Sequence, residues 1–460
     1  MVQVEVVATD ELGDRSYVVH DGTVALVVDP QRDIDRVQSV LAEAGLRLEL
    51  VLETHRHNDY VTGGYALAQV TGARYAVPAA EDIDVGDAKV ADGDVLTVGG
   101  LTVTALATPG HTHGHLSYVV RETGGSAPPA VFSGGSLLFG SVGRTDLLGD
   151  ADTEGLTRDQ FRSVRRLTAE LPDDTAVYPT HGFGSFCSSG SATGGDASTI
   201  GAEKQRNDAL TIADEDQFVE TLIAGLTGYP AYYAHMGARN KAGADAPDLS
   251  PVQPVDASEI RKRIADGEWI VDLRERRTFA AGHLNGSISI ALGTQFATYL
   301  GWLIPWGTPL TLLADTPEQI ADAQRQLVRI GIERPAGSST EPVATLAGDD
   351  EPRSYPIASF ADLAARREPA HGHDDGRPWA VLDVRRNDER VHGGIPDSLH
   401  VPLHQLTDRL TELPDATLWV HCASGFRASI AASLLDRAGH DVIYVDDEYS
   451  AAQDLGLAPR

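Results

Sequence analysis

Histidines follow apolar, strand-like runs at several points in the first half of the chain. His55 and His57 form an H-x-H pair after one run, His111 follows another run and a Pro-Gly turn, and His181 follows a third. Loops that leave strand ends meet at one rim of a sheet, and converging imidazoles bind zinc, iron and related ions. Together these histidines predict a metal centre.

Three further residues of metal-binding type lie beside these motifs. His113 and His115 share the segment of His111, and Cys187 follows His181 in the sequence GFGSFC. A single histidine or cysteine near a strand end is more often packed or hydrogen-bonded than bound to a metal. We expect hydrogen-bonding or packing roles for the two histidines and a buried thiol for Cys187.

A second set of chemistry-bearing residues surrounds Cys422 in the sequence WVHCASGFRASIAASLLDRAG. An apolar run predicts a strand that ends at Cys422, and an amphipathic stretch after Gly425 predicts a helix. Gly425 permits a tight turn, and backbone N–H groups at a helix N-terminus stabilise a thiolate and bind an anionic sulfur donor. We expect Cys422 to be a nucleophile and Arg427 to add a fixed positive charge as the second catalytic residue. The substrate-binding loop between them would be Ala423, Ser424, Gly425 and Phe426.

The elements that must position the histidines are short β-rich runs and helical patterns separated by glycine-bounded loops. Strands are predicted at Tyr17–Val19, Val24–Val28, Glu49–Leu52, Leu101–Ala105 and Ser117–Val120, and helices at Ile34–Ala44 and Thr62–Val70. This alternation predicts a layered α/β domain over residues 1 to about 240.

Polar stretches rich in Pro, Ala and Asp predict the domain boundaries. They lie at Lys241–Ser258 and at Pro335–Pro356, and a third stretch at Glu368–Pro378 predicts a loop inside the last domain. We therefore expect domains over residues 1–245, 255–337 and 356–460.

The two C-terminal domains repeat each other in sequence. VDLRERRTFAAGHLNGSISI matches LDVRRNDERVHGGIPDSLHV, and LLADTPEQIADAQRQLVRIG matches VHCASGFRASIAASLLDRAG at the same spacing. In that alignment Ala314 corresponds to Cys422, and Gln319 corresponds to Arg427. Both copies predict a strand, a loop and a helix.

The C-terminal copy resembles the rhodanese (sulfurtransferase) family over about residues 356–460. The motifs that carry the resemblance are Asp383-Val384-Arg385, Gly394-Ile395-Pro396 with Val401-Pro402, and the loop from Cys422 to Arg427. The resemblance implies that Cys422 accepts sulfur and carries a persulfide. The copy at 255–335 is similar to a rhodanese domain without its nucleophile, because Ala314 has no thiol, and this implies a scaffold or docking role.

The N-terminal half resembles the metallo-β-lactamase superfamily, and within it the persulfide dioxygenase branch. Beside the histidines, the matching motifs are Thr108–Thr112, Phe132-Ser133-Gly134, Gly143-Arg144-Thr145-Asp146, and Ser198-Thr199-Ile200 with Glu203 and Asn207. The resemblance implies an αββα sandwich followed by two rhodanese-like α/β domains, with Arg144 as a substrate-binding residue. In that branch a mononuclear non-haem iron is bound at positions that correspond here to His55, His111 and Gly135.

The chain departs from the superfamily pattern at two positions. The motif H-x-H-x-D-H ends here in Tyr60, and the later S-G-D aspartate is replaced by Gly135, which has no side chain. A two-metal site bridged by that carboxylate is difficult to build without it. What remains of the superfamily pattern is a three-histidine site of His55, His57 and His111, with Asp59 and His181 as a further ligand or as supports of the ligands. We therefore expect one divalent ion per chain, with iron preferred to zinc.

Composition limits the partners. Acidic residues outnumber basic ones, 67 to 37, which gives a formal net charge of -30. Such a surface repels phosphate and anionic lipid, so we expect neither nucleic acid nor a membrane as partner. With no signal peptide, no apolar run of about 18 residues and only unpaired cysteines, the sequence predicts a soluble cytoplasmic protein, and a homo-oligomer is left open.

Three functions are compatible with the sequence. The first is an enzyme that processes persulfides and uses persulfide or thiosulfate-type donors and a low-molecular-weight thiol. The second is a zinc-dependent thioester hydrolase, similar to glyoxalase II, fused to a sulfurtransferase. The third is a degenerate, non-catalytic metal domain joined to an active rhodanese.

Overall fold

The structure is a computed structural model that describes residues 2–190, 195–367 and 377–459. Contacts within the chain divide it into two units. The first comprises Met1–Asp248 together with Arg325–Glu333, and the second comprises Leu249–Gln324 and Arg334–Arg460. The first unit is therefore discontinuous in the sequence.

The first unit alternates strands with helices along most of its length. Its strands are β1 (Gln3–Thr9), β2 (Asp14–His20), β3 (Val24–Val28), β4 (Arg47–Leu52), β5 (Arg74–Pro78), β6 (Ala88–Val90), β7 (Val95–Val98), β8 (Leu101–Ala107), β9 (Leu116–Glu122), β10 (Ala130–Gly134), β11 (Ala176–Pro179) and β12 (Ser198–Thr199). Its helices are α1 (Asp35–Glu43), α2 (Gly64–Thr71), α3 (Asp150–Glu170), α4 (Ile200–Arg206), α5 (Asp208–Thr211), α6 (Glu215–Gly225) and α7 (Tyr233–Ala242).

Two sheets of the first unit pack face to face. One has the strand order β1-β2-β3-β4-β5-β6, and the other has the order β12-β11-β10-β9-β8-β7. Alternation along β2 shows how the layers form, because Tyr17 and Val19 enter the core between the sheets while Val18 packs on the outer face with α1 and α2. The outer face of the second sheet packs against α3 and α6 through Phe161 and Phe218. This is the predicted αββα sandwich.

The second unit contains the two repeated segments. Its strands are β13 (Trp269–Asp272), β14 (Ile288–Ser289), β15 (Leu310–Leu313), β16 (Gly337–Ser339), β17 (Ile357–Ala358), β18 (Trp379–Asp383), β19 (Leu399–His400), β20 (Thr417–His421) and β21 (Val442–Val445). Its helices are α8 (Ala257–Ala265), α9 (Arg276–Ala281), α10 (Phe296–Leu303), α11 (Pro317–Arg329, which ends in the first unit), α12 (Val343–Ala347), α13 (Phe360–Arg367), α14 (Asn387–Arg390), α15 (Phe426–Arg437) and α16 (Tyr449–Asp454), with 3-10 helices at Leu403–Gln405 and Thr407–Glu412.

The predicted internal repeat is confirmed by the topology of the two sheets in this unit. One sheet has the order β14-β13-β15-β16, and the other has the order β19-β18-β20-β21-β17, so that corresponding strands occupy corresponding positions. All the pairings are parallel. Cys422 follows β20, and Ala314 follows the equivalent strand β15.

One of the predicted boundary segments is not a plain linker. Pro335–Pro356 contains β16, which pairs with β15, and α12, which packs against α8 through Leu346 and Ile260. The prediction is wrong because Gly337–Ser339 has small, polar side chains that resemble a loop, although the strand is buried. The segment Lys241–Ser258 contains the end of α7 and the start of α8 with no named element between them.

The polar stretch at 368–376 lies outside the described residues, so the predicted loop there stays a prediction. Within the described ranges, no helix combines the length and the apolar character that a membrane crossing requires.

Candidate functional site

Strand ends from both sheets of the first unit bring the predicted histidines together. β4 leads into the H-x-H loop, β8 leads into the Pro-Gly turn before His111, and β11 leads into His181. The backbone N–H of Leu116, at the start of β9, donates to the carbonyl oxygen of Thr54 across 2.8 Å and ties two of these loops together. All four histidines of the predicted centre are buried.

Hydrogen bonds determine which ring nitrogen is free in two of these histidines. The Thr54 hydroxyl donates to Asp29 across 2.7 Å, so it accepts a hydrogen bond from His55 Nδ1 at 2.9 Å. His111 Nδ1 donates to the carbonyl oxygen of Arg144 across 2.7 Å. In both rings the proton is therefore on Nδ1, and Nε2 presents a lone pair.

His181 is oriented in the same way by two buried carboxylates. Its Nδ1 lies 2.8 Å from Asp14 Oδ1 and 3.1 Å from Asp59 Oδ2. Burial alone would lower the pKa of His181, but the carboxylates of Asp59 and Asp14 raise it well above its usual value. A carboxylate on the second nitrogen orients a metal-binding imidazole and increases its basicity. Asp59 therefore lies where it can support the ligand His181, one of the two roles predicted for it.

The free nitrogens of these rings converge. His181 Nε2 lies 3.3 Å from His55 Nε2, and the His111 ring centroid lies 4.8 Å from that of His55 and 5.3 Å from that of His181. His111 Nε2 is buried and has no hydrogen-bond partner, an arrangement that is costly unless an ion binds there. Burial also lowers the pKa of His111 to about 3, which keeps the ring in the neutral form that metal ions bind. This donor set fits a divalent metal ion.

His57 presents a different nitrogen to the site. Its Nε2 lies 3.2 Å from Glu53 Oε2 and 3.3 Å from Asp29 Oδ1, whereas its Nδ1 is buried without a partner. Burial would lower the pKa of His57, but Asp29 and Glu53 raise it to about 9. The ring centroids of His55 and His57 are 4.1 Å apart, so Nδ1 is the atom through which His57 can join the other donors.

The two departures from the superfamily motif have visible structural consequences. The Tyr60 hydroxyl is buried, 3.1 Å from His57 Nε2, and donates to the carbonyl oxygen of Asp29 across 3.4 Å. A Cβ atom at Gly135 would lie 2.3 Å from the His111 ring, so that an aspartate there would displace this histidine. The Tyr60 phenol and the His111 ring thus occupy the space of the last histidine of the H-x-H-x-D-H motif and of the S-G-D aspartate, respectively.

The other predicted residues of this half have structural contacts. His115 accepts a hydrogen bond from the Gly135 N–H across 3.0 Å and shares a 2.9 Å hydrogen bond with Thr108, which agrees with the predicted hydrogen-bonding role. His113 is exposed, 3.6 Å from Asp152.

The predicted substrate-binding role of Arg144 stays a prediction. The residue is 1% exposed, and its guanidinium pairs with both oxygens of Asp146 at 2.7 and 2.8 Å and donates to the carbonyl oxygens of Phe186 and Thr227. These hydrogen bonds engage the guanidinium within the protein. The backbone carbonyl oxygen of Arg144 orients His111.

Sequence reasoning assigned no role to three buried carboxylates, Asp14, Asp29 and Glu53. Asp29 accepts hydrogen bonds from the Thr54 N–H at 2.7 Å, from the Thr54 hydroxyl and from the Thr180 hydroxyl. It directly follows the apolar strand β3, which is the same signal that identified the histidines. Asp14 begins β2 beside Gly13, and no local pattern distinguishes it from an ordinary turn aspartate.

Cys422 lies at the base of a tight turn in the second unit. Gly425 has a φ of +86° and begins α15, and the Ala428 N–H donates to Cys422 Sγ across 3.4 Å. The cysteine is 1% exposed, whereas Ser424 is exposed at the mouth of the loop. A thiol that receives an N–H group from a helix N-terminus is placed for stabilisation as a thiolate.

Arg427 does not bring an uncompensated charge to this loop. Its two Nη atoms donate to the two carboxylate oxygens of Glu389, one across 2.7 Å. Burial would lower the pKa of Arg427, but the carboxylate raises it above its usual value. The bidentate pair fixes the start of α15 to α14. The catalytic role of Arg427 stays a prediction, and Glu389 would take part in that role.

A cavity of about 280 Å³ lies beside the Cys422 loop, within the second unit. It is lined by Phe426 from the loop and by Glu275, Arg276, Ala291, Leu292, Gly293, Thr294 and Gln295 from the repeat that lacks a cysteine. The Arg276 guanidinium also pairs with Asp446 at 2.9 Å. The copy without a nucleophile thus contributes the larger part of this cavity wall.

Comparisons with known proteins agree with this architecture. The model of the rhodanese-like domain family matches residues 367–454. A hydroxyacylglutathione hydrolase of Brucella anthropi is 32% identical over 251 residues, which cover 53% of this chain and 90% of that protein. A hydroxyacylglutathione hydrolase of Pseudomonas entomophila is 38% identical over 155 residues, 34% of this chain, and the chain spans only 56% of the length of this relative.

Among solved structures, a metallo-beta-lactamase from Staphylococcus aureus subsp. aureus COL superposes with a TM-score of 0.66 at 27% identity, over 74% of this chain and 98% of that one. The sandwich, the histidine cluster and these similarities lead to one conclusion. The chain belongs to the metallo-β-lactamase superfamily and is fused to a C-terminal rhodanese-like domain.

Proposed function

We propose that the protein is a sulfur-metabolism enzyme whose metal centre processes persulfides and whose Cys422 transfers sulfane sulfur. The observation that carries the proposal is a donor set suited to one ion, in a chain that also holds a thiol at a helix N-terminus. Donor atoms of His55, His57 and His181 lie within 4.8 Å of one another, as do those of His111, His181 and Cys187. Tyr60 and the ring of His111 fill the space of the missing motif residues. A bridged two-metal hydrolytic site lacks its carboxylate here.

Iron, preferred to zinc, would supply open coordination positions for dioxygen and for a persulfide sulfur. In the proposed overall reaction a persulfide, dioxygen and water yield a thiol, sulfite and protons, so that the terminal sulfur is oxidised and dioxygen is reduced. The protein holds His55 through Thr54, His111 through the carbonyl oxygen of Arg144, and His181 through Asp14. These buried contacts occupy Nδ1 of each ring, restrict the rotation of the rings and leave Nε2 as the nitrogen that each ring offers to an ion.

Sulfur transfer at Cys422 requires no metal. The Cys422 thiolate attacks the terminal sulfur of a persulfide or thiosulfate-type donor, forms an S–S bond, and expels the donor's thiolate or sulfite as the old S–S bond breaks. The Ala428 N–H at 3.4 Å from Sγ favours the attacking thiolate. A low-molecular-weight thiol then accepts the sulfur. A reducing compartment such as the cytoplasm suits this chemistry, because Cys422 must remain a thiol.

The test uses the full-length protein, freed of metal and reloaded with iron(II) or zinc(II). With glutathione persulfide we expect the iron form to consume dioxygen and to release sulfite, and His111→Ala to lose both activities. Cys422→Ser should retain dioxygen consumption and lose sulfur transfer from thiosulfate to cyanide, whereas Cys187→Ser should retain that transfer. An iron form that contains metal but consumes no dioxygen would contradict the proposal.

The competing function is hydrolysis of a thioester, favoured by the names of the relatives, which are hydroxyacylglutathione hydrolases. The zinc form would then hydrolyse a hydroxyacylglutathione without consuming dioxygen. If neither form turns over either substrate, the first unit is a non-catalytic binding module, and Cys422 is the sole reactive centre.

A further inference from the structure

Cys187 belongs to the surroundings of the metal centre. It is fully buried and lies six residues after His181. Its carbonyl oxygen accepts a hydrogen bond from the Arg144 N–H across 2.8 Å, and its own N–H donates to Ser185 Oγ across 3.1 Å. Since the carbonyl oxygen of Arg144 in turn orients His111, the backbone of Cys187 is one hydrogen bond away from the segment that holds this ligand.

The thiol lies among metal-binding atoms. Donor atoms of His111, His181 and Cys187 lie within 4.8 Å of one another, and all three residues are buried. His111 Nε2, which has no partner, gives a second and independent indication that a ligand binds here. Sulfur and imidazole nitrogen are the donors that zinc and iron accept together in proteins.

A bound ion must supply the charge that holds Cys187 as a thiolate, because burial and the carboxylates of Asp59 and Asp14 raise the pKa of its thiol well above the usual value. The imidazoles are neutral ligands, and Gly135 supplies no carboxylate. One oxygen of each nearby carboxylate, Asp14 Oδ1 and Asp59 Oδ2, contacts Nδ1 of His181, the nitrogen not offered to the ion, and Asp59 also contacts the Cys187 thiol. A divalent ion bound by imidazoles alone would have no negative ligand to compensate its charge in this buried site.

We propose that Cys187 is a ligand of the metal ion and that its thiolate takes the place of the missing carboxylate. Binding replaces the S–H bond by a sulfur–metal bond and releases one proton per ion to the solvent. This inference rests on the metal centre of the proposed function, but it concerns the ligand set and not the reaction.

Cobalt(II) offers a direct test, because a thiolate bound to cobalt gives a charge-transfer band in the near ultraviolet that imidazole does not give. The chain has two cysteines, so Cys422→Ser is the matched control for Cys187→Ser. We expect the band in the cobalt-loaded full-length protein and in Cys422→Ser, and its loss in Cys187→Ser. Cobalt affinity should fall by at least about tenfold in Cys187→Ser and remain unchanged in the control.

A second measurement needs no change at Cys187. X-ray absorption of the zinc-loaded Cys422→Ser protein should show a sulfur neighbour at about 2.3 Å from the metal, because Cys187 is then the only cysteine. The inference would be overturned if the cobalt band is absent from the wild type or persists in Cys187→Ser. It would also be overturned if the zinc has only nitrogen and oxygen neighbours. None of these readouts depends on turnover. Failure of the dioxygenase assay would therefore leave the ligand assignment standing, and loss of the band would leave the dioxygenase test open.

Discussion

A methyl group at Gly425 should disturb the Cys422 loop more than its size suggests. Gly425 has a φ of +86°, and an added Cβ would lie 2.3 Å from Asp446 Oδ1 and 3.0 Å from the Tyr444 hydroxyl. The Asp446 carboxylate cannot easily move away, because it accepts the Tyr444 hydroxyl at 2.7 Å and pairs with Arg276 at 2.9 Å. Gly425→Ala must therefore shift either this ion pair or the turn that carries the sulfur.

The cost has two parts. A non-glycine residue in the left-handed region costs about 1–2 kcal/mol, and crowding in a packed region adds about 1–3 kcal/mol, so Gly425→Ala should lose roughly 2–5 kcal/mol. Gly439 is the matched control. It follows α15 with a φ of +88°, and a Cβ added there would have no atom within 4 Å. Gly439→Ala should therefore lose only the backbone cost of about 1–2 kcal/mol. Displacement of the Ala428 N–H should also slow sulfur transfer by about tenfold in Gly425→Ala alone.

Tryptophan fluorescence during urea unfolding measures the relevant free energy, because the five tryptophans lie at positions 269, 302, 306, 379 and 419, all in the second unit. Sulfur transfer from thiosulfate to cyanide measures the effect on the loop. Equal loss of stability in the two variants, together with wild-type transfer by Gly425→Ala, would refute the reasoning.

Three further outcomes are expected. Ala314→Cys alone should give little sulfur transfer in a Cys422→Ser background, because Gln319 does not supply the arginine of the active loop; strong transfer would show that the first copy needs only a thiol. Burial lowers the pKa of His421 to about 4, so the unfolded state binds its proton first as the pH falls from about 6.5 to 4, and the second unit should lose about 3 kcal/mol in that window. His421→Gln should flatten the profile of unfolding free energy against pH, and an unchanged slope would contradict this origin. Elemental analysis should find one ion per chain in the wild type and almost none in His111→Ala, whereas two tightly held ions would exclude the single-ion site.

The fold was predictable where a single period or a repeat dominates the sequence. The strands after which the histidines occur alternate or are apolar throughout, and the two C-terminal copies align in two segments without a gap inside either, at an offset of 111 residues from Asp272 to Asp383 and of 108 from Ala314 to Cys422. β16 could not be predicted, because Gly337–Ser339 has neither apolar periodicity nor β-branched side chains, and only its parallel pairing with β15 makes it a strand.

The donor set was predictable in type but not in geometry. Sequence spacing identified His55 and His111, yet it could not show that Asp14 and Asp59 share Nδ1 of His181. It also gave no sign that Glu389, distant in the chain, compensates Arg427, or that the carbonyl oxygen of Arg144 orients His111. These pairings arise from chain crossings that no local pattern encodes.

The discontinuity of the first unit has a consequence for how genes of this kind can be rearranged. Arg329, in the segment Arg325–Glu333, pairs with Asp33 at 2.8 Å and with Glu11 at 3.0 Å, and its carbonyl oxygen accepts the Val61 N–H. A truncation after Asp248 would remove this arginine and Arg325, and would leave the buried Asp33 with two cations fewer. Exchange of the rhodanese part at that point would therefore also remove a piece of the first unit. The last helix of the copy without a cysteine supplies residues that belong to the unit that precedes it in the sequence.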